Sequence, residues 1–144
     1  MLDQTESLQK KGINAVAWNS DTPKHKVDLI KKNVRSNVER PRLLYVSPEH
    51  IEHSEDFRTL LADLYRTQSL DQFVLDEAQS IWMWGSSFRP SYDALGYLRD
   101  QHPAVPIMAL TGTTTTADIN CLVTSLRLRN VHFVKSSLYR PNLQ

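Results

Sequence analysis

The chain has 144 residues and a mass of 16.6 kDa, which is enough for one domain of ordinary size and too little for two. With 40% hydrophobic and 23% charged residues, its composition excludes disordered, collagen-like and low-complexity classes. The 17 basic and 16 acidic residues give a net charge of +1, so any nucleic-acid binding must depend on a local patch.

A single cysteine, Cys121, excludes an internal disulfide and a cysteine-based zinc site. Its apolar neighbours favour a buried structural thiol over a nucleophile. No apolar run approaches the roughly 20 residues that span a bilayer, and the first residues lack the apolar core of a signal peptide. The sequence therefore predicts a chain outside the membrane, in a reducing compartment.

Short apolar runs predict five β-strands along the chain. They cover residues 13–18, 43–46, 73–75, 105–110 and 131–134. Three of the runs are nearly continuous rather than alternating, which is typical of strands that are covered on both faces.

Amphipathic segments lie between these runs. From Pro23 onward, apolar residues at helical spacing predict a helix, which we expect Asp21 or Thr22 to cap. Its other face is basic, which favours a solvated surface, with contact to a DNA backbone as the alternative. Three further apolar faces are Phe57, Leu60, Leu61 and Leu64, then Tyr92, Leu95, Tyr97 and Leu98, then Ile119, Leu122, Val123 and Leu126. Strands alternating with helices predict an α/β fold with a mostly parallel sheet.

Polar residues follow three of the predicted strands. Ser47, Pro48 and Glu49 follow the second, residues 76–79 follow the third, and a run that begins at Thr111 follows the fourth. Because ligands of parallel sheets bind at the carboxyl ends of strands, these residues form a candidate site.

Two adjacent carboxylates, Asp76 and Glu77, follow the third strand directly. They cannot both be buried without a partner, because desolvation disfavours charge on each. A magnesium ion solves that problem, with one carboxylate orienting the metal and the next positioning a water as general base. The alternative is an acidic helix N-terminus, where the helix dipole favours negative charge.

An aromatic-rich stretch, residues 81–90, comes next. Trp84, Phe88 and Arg89 suit single-stranded nucleic acid, because aromatic faces stack on unpaired bases and arginine binds phosphate. The alternative is a tryptophan cluster that closes a core.

These segments together resemble the first motor domain of RecQ-type DNA helicases, which are superfamily 2 enzymes of the DEAH-box kind. The run 75–116 is similar to the part of the family from motif II to motif III. Residues 1–20 (MLDQTESLQKKGINAVAWNS) resemble the second half of motif Ia and the following strand, and 42–50 (RLLYVSPEH) resemble motif Ib. Residues 136–144 (SSLYRPNLQ) resemble the start of the linker to the second motor domain.

The resemblance implies a role for each matching position. Asp76 would hold magnesium through water, Glu77 would activate the hydrolytic water, and Gln79 would relay nucleotide state from the place where the family usually has histidine. Thr111 and Thr113 match motif III, which couples nucleotide to DNA. The positions that match DNA-contacting segments are Asp3, Gln4, Ser47, Pro48, Glu49, Trp84, Phe88 and Arg89.

The chain also departs from the family pattern. Ser86 and Ser87 replace a common His-Asp pair, and Gly112 replaces an alanine. The phosphate-binding pattern G-x-x-x-x-G-K-[ST] occurs nowhere in the 144 residues, and the second motor domain and zinc subdomain of the family are not matched. The expected fold is therefore a RecA-like P-loop NTPase motor domain that lacks its P-loop strand, with exposed strand edges as a hazard for aggregation.

The whole chain, 1–144, is thus expected to be a partial helicase ATP-binding domain. The resemblance implies that the full-length parent uses ATP and magnesium to move 3′ to 5′ on single-stranded or forked DNA in repair and recombination, in the nucleus of a eukaryote or the cytoplasm of a prokaryote. We expect this chain alone to bind neither cofactor tightly, and to be inactive. The alternative is a non-catalytic module that binds single-stranded nucleic acid or a helicase partner.

Overall fold

The computed structural model describes residues 2–36, 39–83, 95–112 and 115–135. Helices and strands alternate through these ranges. In chain order they are α1 (Leu2–Lys10), β1 (Ala15–Trp18), α2 (Lys24–Arg35), β2 (Leu43–Val46), α3 (Pro48–His53), α4 (Glu55–Arg66), β3 (Phe73–Leu75), α5 (Ser80–Met83), α6 (Gly96–Gln101), β4 (Ile107–Ala109) and α7 (Thr116–Ser125). Within the same ranges, no helix combines the length and the apolar character that crossing a bilayer requires.

The strands form two parallel pairs. β1 pairs with β2, with Ala15 opposite Leu43, and β3 pairs with β4, with Phe73 opposite Ile107. The prediction of an α/β chain with parallel strands is confirmed. However, the described strands form two separate two-stranded sheets instead of one continuous sheet.

The core lies between these strands and the apolar faces of the helices. α4 contributes the largest share, with four residues at helical spacing that are at most 9% exposed: Phe57, Leu60, Leu61 and Leu64. Full burial of such a side chain stabilises the fold by about 1.5–3 kcal/mol. α6 and α7 approach closely at Gly96, where an added Cβ would lie 2.9 Å from the carbonyl oxygen of Ser125.

The N-terminus of α2 differs from the sequence prediction. Pro23 occupies the N-cap position, and no side chain caps the helix. The Thr22 hydroxyl is used elsewhere, because it accepts from the Asn19 amide and donates to Asn19 Oδ1, both at 2.9 Å. These bonds close the turn that joins β1 to α2, and the prediction that Asp21 or Thr22 caps α2 is wrong.

The run 131–134, predicted as a fifth strand, forms no strand in the structure. Phe133 is 64% exposed and Val134 is 96% exposed. A strand is stable only when a neighbour completes its backbone hydrogen bonds, and no strand in the described ranges pairs with this run. The β-branched and aromatic composition of this run is therefore not sufficient to form a strand.

Candidate functional site

The carboxyl ends of β3 and β4 meet at the predicted site. The Leu110 amide donates to the Leu75 carbonyl, and the Ala78 amide donates to the Leu110 carbonyl, each at 2.8 Å. These two bonds extend the strand pairing into the turn that follows β3. They place the 76–79 segment beside Thr111, as predicted from the positions of the strand ends.

Asp76 and Glu77 are both exposed in this turn. Asp76 Oδ1 accepts a hydrogen bond from the Glu77 amide at 3.0 Å, which fixes the orientation of the Asp76 carboxylate. Glu77 has a φ of +51°, a left-handed conformation that costs a non-glycine residue about 1–2 kcal/mol. The turn therefore holds the two carboxylates outward at an energetic cost, a feature that recurs at functional sites.

Gln79 connects the carboxylates to the neighbouring strand. Its Oε1 accepts from the Thr111 hydroxyl at 2.7 Å, and its Nε2 donates to Glu77 Oε2. One half-buried amide thus accepts on one side and donates on the other. Gln79 thus links Glu77 to the segment after β4 through two hydrogen bonds.

The oxygen atoms of this cluster fit the preferences of magnesium. Mg²⁺ is commonly bound through one or two carboxylates, several waters and substrate phosphates. Asp76 and Glu77 supply exposed carboxylate oxygens of this type. In the part of the chain that the structure describes, no three His, Cys, Asp or Glu side chains converge into a cluster of metal ligands.

The predicted DNA-contacting residues on α1 lie in a shallow pocket. Asp3 and Gln4 line it together with Ser7, Leu8 and Tyr45, around a volume of about 370 Å³. Tyr45 belongs to β2, the strand that leads into the predicted residues Ser47–Glu49. Ser47, Pro48 and Glu49 themselves do not line this pocket.

Ser47 has a structural role at the start of α3. Its hydroxyl accepts from the His50 amide at 3.3 Å, and Pro48 occupies the first turn of the helix. Glu49 is exposed in the same turn. Of these three residues, Glu49 is thus the most accessible to a ligand.

Four predicted site residues lie outside the described residues. They are Trp84, Phe88, Arg89 and Thr113. The predicted linker, 136–144, also lies outside them.

A pocket at the end of β1 was not predicted from the sequence. It has a volume of about 360 Å³, and its lining includes Trp18, Asn19, Lys31 and His50. The polar run 19–22 follows β1 just as residues 47–49 follow β2, and inspection of this fourth strand end would have found it.

Comparison with known proteins identifies similar sequences over the whole chain. ATP-dependent DNA helicase hus2/rqh1 of Schizosaccharomyces pombe is 34% identical over 143 residues, which is 99% of this chain and 11% of that protein. RecQ-like DNA helicase blm-1 of Caenorhabditis elegans is 35% identical over 144 residues, covering 99% of this chain and 15% of that protein. ATP-dependent DNA helicase RecQ of Haemophilus influenzae is 35% identical over 144 residues, which is 100% of this chain and 22% of that protein. No protein-family model matches the chain.

The chain thus spans between about a tenth and about a fifth of the length of these relatives. Similarity at this level over nearly every residue confirms the resemblance that motifs Ia to III indicated. The sequence therefore corresponds to one segment of RecQ-family ATP-dependent DNA helicases.

Proposed function

We propose that the chain is the part of a RecQ-type motor domain that couples ATP hydrolysis to DNA. The observation that carries this proposal is the contact chain from Glu77 through Gln79 to Thr111. In the full-length parent it would connect the hydrolytic carboxylate to the segment after β4. The parent would use that connection to move 3′ to 5′ on single-stranded or forked DNA, together with a second motor domain.

In this proposal each side chain of the turn has its own task. Asp76, already oriented by the Glu77 amide, would hold magnesium through a water when the parent binds that ion. Glu77 accepts a proton from the attacking water. Gln79 keeps the Glu77 carboxylate in position and reports its displacement to Thr111. ATP and magnesium, when bound in the parent, supply the phosphoanhydride and the neutralising charge.

We expect the 144-residue chain alone to show no ATPase or unwinding activity. The reason is that its sequence contains no G-x-x-x-x-G-K-[ST], whose amides and lysine cradle the phosphates. Release of phosphate from ATP is measured with and without magnesium, for the chain and for Glu77→Gln. Asp71→Asn, which removes an exposed carboxylate outside the turn, is the matched control. Magnesium-dependent hydrolysis that Glu77→Gln abolishes and Asp71→Asn retains would contradict this expectation.

A second function, binding of single-stranded DNA without catalysis, is supported by the charge on α2. This helix carries five basic residues and one acidic residue, which leaves 12 basic and 15 acidic residues in the rest of the chain. The positive charge that nucleic-acid binding needs is therefore concentrated on one element although the chain is nearly neutral.

This binding is tested by fluorescence anisotropy with a labelled single-stranded oligonucleotide. We expect binding that weakens with salt, is indifferent to ATP, and decreases on Trp84→Ala because a stacking platform is lost. Tyr97→Ala, a change to a half-buried aromatic residue of α6, is the control for loss of an aromatic side chain. Absence of any binding at low salt would reject the module and leave only the role within the parent.

A further inference from the structure

The edge of β4 that faces away from β3 presents backbone groups for pairing. The register places Phe73 opposite Ile107, and the Phe73 amide donates to the Pro106 carbonyl at 2.9 Å. In a parallel ladder, Phe73 bonds to the neighbours of Ile107 and not to Ile107 itself. The amides and carbonyls of Ile107 and Ala109 therefore point to the opposite edge. No strand in the described ranges pairs with β4 at that edge.

The free edge of β4 offers more pairing groups than the free edge of β3. β3 has three residues, and by the same alternation only Val74 directs its amide and carbonyl away from β4. In β4, both Ile107 and Ala109 direct these groups outward. An added strand thus makes more backbone hydrogen bonds on β4, which makes the β4 edge the better acceptor.

The β4 edge lacks the features that normally block strand addition. Natural proteins protect exposed edges with charged side chains, bulges or prolines. The segment 105–110 (VPIMAL) carries no charge. Its proline, Pro106, does not block the free edge, because the alternation places its missing amide hydrogen on the β3 side.

The same chain contains a strand-forming segment without a partner. The run 131–134 (VHFV) has the composition of a strand, and none of its residues makes a backbone hydrogen bond to another described residue. Phe133 is 64% exposed and Val134 is 96% exposed. The run begins near a fixed point, because the Leu128 amide donates to the Val123 carbonyl at 2.9 Å. Addition to an edge would supply this run with both hydrogen bonds and apolar contact.

Charges at the ends of the two segments favour their pairing. Exposed basic residues flank the run, with Arg129 before it and Lys135 after it. Exposed carboxylates flank β3, the strand beside β4: Asp71 precedes β3, and Asp76 and Glu77 follow it. The ends of the run and the ends of the sheet therefore attract each other in either orientation of the added strand.

We propose that the chain binds a second copy of itself by strand addition, in which residues 131–134 of one copy pair with the free edge of β4 in the other. The occupant is a second copy because one chain carries both the donor run and the acceptor edge, and neither pairs with another described segment of its own copy. Two such contacts related by a two-fold axis would close a dimer. The proposal depends on neither the ATP-related nor the DNA-binding role proposed above.

Sedimentation velocity from about 10 µM to 1 mM measures the association, because contacts this small are weak. We expect the double change His132→Pro and Phe133→Pro to weaken it about tenfold or more, since proline has no amide hydrogen to donate. His132→Thr with Phe133→Thr is the matched control, because threonine keeps both amides and the tendency to form strands. We expect the threonine pair to have the smaller effect. Equal effects of the two pairs, or a wild-type chain that stays monomeric, would overturn the proposal.

Amide hydrogen exchange followed by NMR locates the contact on the acceptor copy. We expect the amides of Ile107 and Ala109 to exchange more slowly as the concentration of the wild-type chain rises, and the proline pair to remove this effect. Val74 is the internal control, because its amide points to the opposite edge of the strand pair. If Ile107 and Ala109 gain no protection, or Val74 gains as much as they do, the added strand does not lie on the β4 edge and the proposal is wrong.

Discussion

His102 is a buried histidine whose ring is enclosed by aromatic residues. It is 2% exposed, and its ring lies 5.2–6.5 Å from those of Tyr65, Phe73 and Tyr97. Its Nδ1 is 3.2 Å from the Leu98 carbonyl oxygen. Burial lowers the pKa of His102, and the hydrogen bond to Leu98 opposes that effect without reversing it.

This environment predicts a loss of stability at acidic pH. The unfolded chain titrates near 6.5, and the folded chain titrates lower. Between these two values the unfolded state binds more protons, so the free energy of unfolding decreases as pH falls below about 6.5. Urea unfolding between pH 7.5 and 5 measures this pH dependence of the free energy of unfolding. We expect His102→Phe to reduce the dependence. His132→Gln, a change to an exposed histidine, is the control and should leave it unchanged. A dependence that is unchanged by His102→Phe would show that another group causes it; His50, whose pKa burial also lowers, would be the first to examine.

The residues of the candidate site could be identified from the sequence, because each is a polar residue in a recognisable local pattern. Asp76, Glu77, Gln79 and Thr111 are polar residues directly after apolar strands, and parallel pairing brings such strand ends together. The left-handed φ of Glu77 and the contact of Gln79 with Thr111 could not be predicted from the sequence. Both depend on how two strand ends approach each other, and the pattern within one segment does not specify that approach.

At the scale of elements, amphipathic helices were the most predictable part of the fold. The apolar face of α4 is visible as a spacing of three and four residues, and the same residues are buried in the structure. α7 begins with a capping box, in which the Thr115 hydroxyl accepts from the Asp118 amide and the Asp118 carboxylate accepts from the Thr115 amide. Both features involve neighbours in sequence and are therefore encoded locally.

Elements that depend on distant partners were predicted less well. The 131–134 run has the composition of a strand, yet strand formation requires a neighbour that its own residues do not specify. The cap of α2 failed for a related reason, since Thr22 has two hydrogen-bond partners in Asn19 and is not available to the helix. The polar run 19–22 indicates the position of the pocket at the end of β1, but its lining comes from distant parts of the chain and is shown only by the fold.

At the scale of the whole molecule, the described residues of the β3–β4 sheet differ in exposure between its two faces. Phe73 and Leu75 pack against the core, whereas Val74, which points the other way, is 54% exposed. Its partner in the parallel register, Met108, is 46% exposed. Parallel sheets are normally covered on both faces, and the near-continuous apolar runs predicted the same here. The face that carries Val74 and Met108 therefore exposes apolar surface, which contact with a second copy would bury.

We expect the 144-residue chain to self-associate through this face, and the double change Val74→Thr and Met108→Gln to reduce the association. Threonine and glutamine keep similar volumes but make contact between sheet faces less favourable, and exposed positions change stability by only about 0.5 kcal/mol. Sedimentation velocity over a range of concentrations measures the effect. Leu29→Gln is the control, because Leu29 is 54% exposed but belongs to α2 and not to the sheet. If the double variant associates as the wild type does, the face is not the surface of association. If the variant loses more than about 2 kcal/mol of stability, the face is not open to solvent.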